Sequence, residues 1–199
     1  MTPMPEGEKN LIELLKKRDE RAFELFVRKF QNMVFSLALR FLGNYQEAED
    51  ITQEIFITVF KQIDTFRGES SVSTWLYRIS VNHCKNRMKY LSRRQTVRER
   101  DSAEQSQVQN RESGFLSSKP DRPDLVLEAR ETESMINSAL EGLDEDHKTI
   151  LLLRELENLS YSQIAEIMQL EEGTVKSKLH RARASFFAHF KKLKEGKGR

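Results

Sequence analysis

The sequence is poor in the residues that build covalent or metal-held scaffolds. One cysteine, Cys84, stands among 199 residues, which excludes an internal disulfide framework and a multi-cysteine zinc site. Four prolines and eight glycines supply few turn signals, as in an all-helical chain. No apolar run approaches the roughly 18–20 residues of a membrane span. Met1 to Asn10 lacks a basic stretch followed by an apolar core, so no secretory leader is expected. The histidines, His83, His147, His180 and His189, have no metal-ligand or catalytic spacing with a carboxylate or with Cys84. His83 and Cys84 are adjacent and diverge by about 100° on a helix, too far to chelate one ion easily. No glycine-rich phosphate loop occurs. These absences predict a cytoplasmic protein with no cofactor, no small-molecule substrate and no enzymatic activity, in which Cys84 is a buried thiol rather than a redox site.

What is present is charge, unevenly placed. Charged residues make up 32% of the chain and hydrophobic residues 38%, yet the net charge is only +2. Between Tyr45 and Ser70 the acids Glu47, Glu49, Asp50, Glu54, Asp64 and Glu69 face only Lys61 and Arg67. From Trp75 to Arg100 the balance inverts, with Arg78, Lys85, Arg87, Lys89, Arg93, Arg94, Arg98 and Arg100 against Glu99. The C-terminal part repeats the pattern: Leu143 to Glu172 is acidic, and Gly173 to Arg199 is basic. Two basic segments, each after an acidic one, suggest two polyanion-facing surfaces. Solvated helix faces would give similar runs.

Apolar residues at spacings of three and four predict a long helix through Phe23, Phe26, Val27, Phe30, Val34, Leu37, Ala38 and Phe41, stopped at Gly43-Asn44. A second helix is expected from about Gln46 to Ile63, a loop over Asp64–Val72, and a third helix from about Ser73 to Arg93. With a shorter Leu11–Lys17 segment these can bury a core only against one another, as one bundle. Arg94 to Asp124 is dense in Arg, Glu, Gln and Ser and ends in Lys-Pro-Asp-Arg-Pro, the composition of a flexible linker; Phe115-Leu116 is the exception within it. Four shorter helices come after it. Asp144 caps one, Ser160 with Gln163 forms a capping box for another, and the last begins near Glu172.

Two helices carry chemistry. The pair Tyr161–Met168 and Glu172–Phe190 has the lengths and short turn of a helix-turn-helix. Val175, Leu179, Ala182 and Phe186 fall on its inner stripe, while Lys176, Ser177, His180 and Arg181 face outward, with Arg183 at the edge. Gly173-Thr174 would offer free backbone N–H groups to a phosphate. On the Ser73–Arg93 helix, Tyr77, Val81, Cys84, Met88 and Leu91 form the buried stripe, and Arg78, Asn82, Lys85, Lys89 and Arg93 line the other side. A helical wheel puts Trp75 and Asn86 on that basic side. An aromatic beside amides and cations suits unstacked bases; packing of Trp75 against a neighbouring helix is the equal alternative.

The stretches Ala48–Phe56, Phe66–Ser70 and Thr74–Asn82 resemble region 2 of bacterial sigma factors, most closely of the extracytoplasmic function (ECF) type. Leu159–Ala165, Gly173–Leu179 and Arg181–Arg183 resemble region 4 of the same family. The resemblance implies an all-α fold of two small helical domains joined by a flexible linker: region 2 over 8–94, the linker over 95–123, and a region 4 helix-turn-helix over 124–194. It implies that Glu49, Asp50, Gln53, Glu54 and Phe56 dock on the clamp helices of the polymerase beta-prime subunit. The loop residues Gly68, Glu69, Ser70 and Ser71 would capture a base flipped from the promoter −10 element, which Trp75, Arg78, Asn82, Lys85 and Asn86 would recognise and open. Thr174, Lys176, Ser177, Lys178, His180, Arg181 and Arg183 would read the −35 duplex. The implied partners are core RNA polymerase, through its beta-prime clamp helices and beta flap, promoter DNA, and an anti-sigma factor, often membrane-anchored, that links such proteins to stress responses. Asp144 and Asn158 depart from the family pattern, where Pro and Gly are usual. A helix-turn-helix regulator with an N-terminal sensor or dimerisation bundle is the alternative; it leaves the Asp50–Glu54 surface and the basic third helix without a role.

Overall fold

A computed structural model describes the backbone of residues 6–101 and 123–196 and, within these, the side chains outside 95–101 and 123–131. Every described element is helical: α1 (Glu6–Lys16), α2 (Glu20–Leu42), α3 (Tyr45–Gln62), α4 (Val72–Asp101), α5 (Pro123–Glu141), α6 (Glu145–Leu151), α7 (Tyr161–Met168) and α8 (Glu172–Gly196). The chain divides into two compact units, Met1–Asn110 and Arg111–Arg199.

In the first unit, local chemistry sets the helix ends. Asp19 caps α2 by accepting from the Ala22 N–H at 2.8 Å. Gly43 ends it in the left-handed region (φ 63°), its N–H donating to the Leu39 carbonyl at 2.8 Å, a conformation that costs glycine nothing. Asn44 then caps α3 through the Glu47 N–H at 2.9 Å. The core is Phe26, Phe30, Val34, Leu37 and Phe41 from α2, Ile51, Ile55, Phe56 and Val59 from α3, and the first three turns of α4. Those turns are enclosed on nearly every side: Thr74, Trp75, Leu76, Tyr77, Ile79, Ser80, Val81 and Cys84 are all buried.

Three expectations are corrected here. Trp75 does not stand on an exposed basic face; it is 4% exposed, its ring centroid 5.3 Å from that of Phe66. Phe56 is likewise core, 6.2 Å from Phe26, and not part of an open docking surface. A wheel assumes one inward side per helix, whereas α4 begins inside its domain. The helix also continues past Arg93 to Asp101. Its last turns, Arg94 to Asp101, hold no Gly or Pro and are rich in Arg, Gln and Glu, which favour helix without any core to pack on. The expected linker therefore loses its first residues to α4. Its remainder, Phe115-Leu116 included, lies outside the described residues.

In the second unit, α5 to α8 enclose Ala139, Leu140, Ile150, Leu152, Leu153, Ile164, Ile167, Val175, Leu179 and Ala182. Asp144 caps α6 through the His147 N–H at 2.9 Å, so the helix start survives without proline. Asn158 adopts φ 53°, the left-handed turn for which glycine is the usual residue. Between α6 and α7 a π-helical turn spans Leu152–Leu156. The Ser160–Gln163 capping box is complete, with the Gln163 N–H on Ser160 Oγ at 3.2 Å and the Ser160 N–H on Gln163 Oε1 at 2.9 Å.

Candidate nucleic-acid interface

Three surfaces carry the predicted site residues. On α3, Glu49, Asp50, Gln53 and Glu54 are exposed along one ridge, while Ile51 and Ile55 anchor the helix from its opposite side. Gln46 Nε2 donates to Asp50 Oδ1 at 3.2 Å. Glu54 is already engaged within the fold: Arg87 on α4 pairs with it at 2.7 Å and with Glu47 at 3.3 Å. Sequence reasoning passed over Ile57, which is 53% exposed one turn beyond Gln53 and gives the acidic ridge an apolar end. Its only signal was one apolar residue too many for the core stripe.

The second surface is the loop and the α4 face beyond it. Lys16 donates to the Phe66 carbonyl at 2.9 Å, and Arg18 pairs with Asp64 and donates to the Phe60 carbonyl. The α1–α2 junction thereby pins the segment entering the loop. Gly68 turns the chain with φ 75°. Glu69 and Ser71 are exposed, and Gly68 and Ser70 partly so. Ser71 Oγ accepts from the Thr74 N–H at 3.0 Å and so caps α4. Along α4, Asn82 and Asn86 are exposed, and Arg78 and Lys85 are half-buried on the same side. Trp75 does not join them at the surface. The exposed aromatic of α4 among the described residues is Tyr90, 55% exposed one turn after Asn86, a residue that sequence reasoning left out. His83, at the edge of this face, is held below its ordinary pKa by burial, which Glu54 opposes; it is neutral near pH 7.

The third surface is α8. Val175, Leu179 and Ala182 are buried, and Lys176, Ser177, His180 and Arg181 are exposed. Phe186 is only half-buried, stacked on Phe190 with centroids 6.0 Å apart, and Phe187 is exposed. The helix start is less open than expected: the Thr174 and Val175 N–H groups both donate to the Glu171 carbonyl, at 2.9 and 3.0 Å. Thr174 therefore has no free backbone donor for a phosphate. Lys178 and Arg183 are each paired with an acid, Asp146 at 2.9 Å and Glu155 at 2.6 Å. Among the described residues no group of His, Cys, Asp and Glu could hold a metal ion. No described helix is long and apolar enough to cross a membrane.

Comparison with known proteins gives these surfaces a common context. The Sigma-70 region 2 family matches residues 26–94, and the Sigma-70, region 4 family matches residues 134–186. The RNA polymerase sigma-H factor of Pseudomonas aeruginosa is 37% identical over 183 residues, 89% of this chain and 91% of that protein. The ECF RNA polymerase sigma-E factor of Escherichia coli K12 is 38% identical over 173 residues, 87% of this chain and 88% of its own. Among solved structures, the sigma factor RpoE of Bartonella quintana, bound to the anti-sigma factor NepR, superposes with a TM-score of 0.60 at 22% identity, over 85% of this chain and 96% of that one. CnrH, bound to the cytosolic domain of CnrY, gives 0.59 at 20%, over 89% and 93%. At those identities the two structures speak for the fold alone. The region 2 match lies within the N-terminal unit, where a helix-turn-helix regulator would carry a sensor. The chain belongs to the ECF group of sigma-70 family RNA polymerase sigma factors.

Proposed function

We propose that this protein joins core RNA polymerase in the cytoplasm and directs it to promoters by positioning, not by catalysing a reaction. The α3 ridge of Glu49, Asp50, Gln53 and Glu54 docks on the beta-prime clamp helices, and the second unit engages the beta flap. The α8 face of Lys176, Ser177, His180 and Arg181 enters the major groove of the −35 element. The loop Gly68–Ser71 and the α4 face of Arg78, Asn82, Lys85 and Asn86 hold the opened −10 strand. An anti-sigma factor keeps the protein inactive until its signal arrives.

The observation that carries this reading is the α4 face. Exposed amides beside cations, on a helix anchored in the core through Trp75 and Leu76, form a rigid edge. Amides hydrogen-bond base edges there while cations hold phosphates. Trp75 contributes by fixing that edge, not by stacking on a base.

Asn82→Ala tests it. With Asn82 exposed, the fold should be unchanged within about 0.5 kcal/mol. Holoenzyme carrying the variant should bind a closed promoter normally, yet show open-complex permanganate reactivity lowered about tenfold, the loss of one good base contact. Unchanged reactivity would remove Asn82 from the −10 interface.

A further inference from the structure

On α8, Lys178 and Arg183 flank the buried stripe of Val175, Leu179 and Ala182, about 140° apart around the helix axis. Lys178 Nζ donates to Asp146 Oδ2 at 2.9 Å. Arg183 donates to Glu155 Oε1 from both Nε and Nη2, at 2.9 and 2.6 Å. Both acids belong to one continuous stretch of chain, α6 and its π-helical turn. The helix is thus held from both sides by a single neighbour. The π turn adds an extra residue per turn and so redirects the chain on its way to α7. The preceding residue uses the same turn: Arg154 donates to the Leu159 carbonyl at 2.7 Å and lies over Tyr161, at 5.2 Å from the ring centroid. The π turn therefore grips both helices of the helix-turn-helix, α7 through Arg154 and α8 through Glu155.

We infer that Glu155–Arg183 and Asp146–Lys178 form a two-sided brace that sets the rotation of α8 about its own axis, so that Lys178 and Arg183 are positioning residues and not phosphate contacts. This rests on the reading of α8 as the −35 recognition helix. Rotation decides which side chains face the groove. A turn of one residue, about 100°, would move Ser177 from the centre of the outer face to its margin. Exposed ion pairs of this kind add little to stability, whereas two of them on opposite flanks resist rotation in either sense. Phosphate neutralisation is left to Lys176 and Arg181, which carry no acid partner among the pairs that hold α8.

The test is binding of full-length protein with core polymerase to two duplexes, one carrying a −35 element selected by the wild-type holoenzyme and one with that element scrambled, over a range of salt. Glu155→Gln removes a negative charge near DNA. The brace predicts that it nonetheless weakens selected-duplex binding about three- to tenfold, a coupling of ordinary size, with scrambled-duplex binding and salt slope unchanged. Asp146→Asn should act in the same direction. The charge exchange Glu155→Arg with Arg183→Glu should restore preference for the selected duplex. The inference is overturned if Glu155→Gln tightens binding to both duplexes, or if the exchanged chain is the weakest and its logarithmic salt slope falls by about 0.9, the signature of one lost phosphate contact. Failure of the wild-type holoenzyme to select any −35 element from a randomised duplex would overturn the −35 reading itself.

Discussion

Trp75→Ala is expected to destabilise the N-terminal unit by about 3–5 kcal/mol, the cost of emptying a large aromatic site in a packed core. The indole is 4% exposed and lies against Phe66, with Val72, Leu76 and Ile79 buried in the same turns of α4. For a domain of this size the loss corresponds to a fall in melting temperature of more than about 12 °C, a large share of the roughly 5–15 kcal/mol that holds a typical domain. Loss of promoter opening should accompany it, but only in proportion to the unfolded fraction. Trp75→Phe keeps a ring against Phe66 and should recover most of both. Differential scanning calorimetry with permanganate footprinting separates the roles. A Trp75→Ala variant with a wild-type melting temperature and no open complex would contradict the core assignment and return Trp75 to the DNA.

The second large effect belongs to α3. Asp50→Ala with Gln53→Ala should weaken binding to core polymerase about tenfold or more, as expected when central polar anchors of a docking helix are truncated together. Both side chains are exposed, so stability should change by less than about 0.5 kcal/mol per site. Phe56→Ala is the informative contrast. It should also reduce apparent polymerase binding, but by unfolding, because its ring packs 6.2 Å from Phe26 in the core. Competition binding against a labelled sigma factor, run beside circular dichroism, distinguishes the two. Unchanged affinity of the double variant would remove the α3 ridge from the polymerase interface.

The helix boundaries were legible where a side chain caps its own helix or a backbone turn favours one residue type. Asn44, Asp144 and Ser160 accept from N–H groups three residues on, and Gly43 takes its left-handed turn; such signals sit within a few positions of one another. The outer faces of α3 and α8 were legible for a similar reason, since on each helix the exposed polar residues lie opposite the main apolar stripe. What sequence could not carry was enclosure. Trp75 and Phe56 lie off the main apolar stripes, and only the approach of Phe66 and Phe26 from elsewhere in the chain makes their positions core. Distant pairing was equally hidden. Arg183 with Glu155 and Lys178 with Asp146 join residues about thirty apart in the chain, and the Leu152–Leu156 π turn that aims Glu155 has no composition of its own. The continuation of α4 to Asp101 was missed because the absence of aliphatic residues speaks against burial, not against helix.

On the proposed reading, one chain supplies both the polymerase-docking helix and the two DNA-reading faces of a promoter-selecting subunit. The most direct measurement of that claim is transcription of the source genome's DNA by core RNA polymerase in vitro, with and without the full-length protein, with transcript 5′ ends mapped. The expected result is a small set of new start sites that appear only with both components, share two sequence elements at a fixed spacing, and disappear with the Asp50→Ala, Gln53→Ala variant. The same start sites without the protein, or none with it, would contradict the claim.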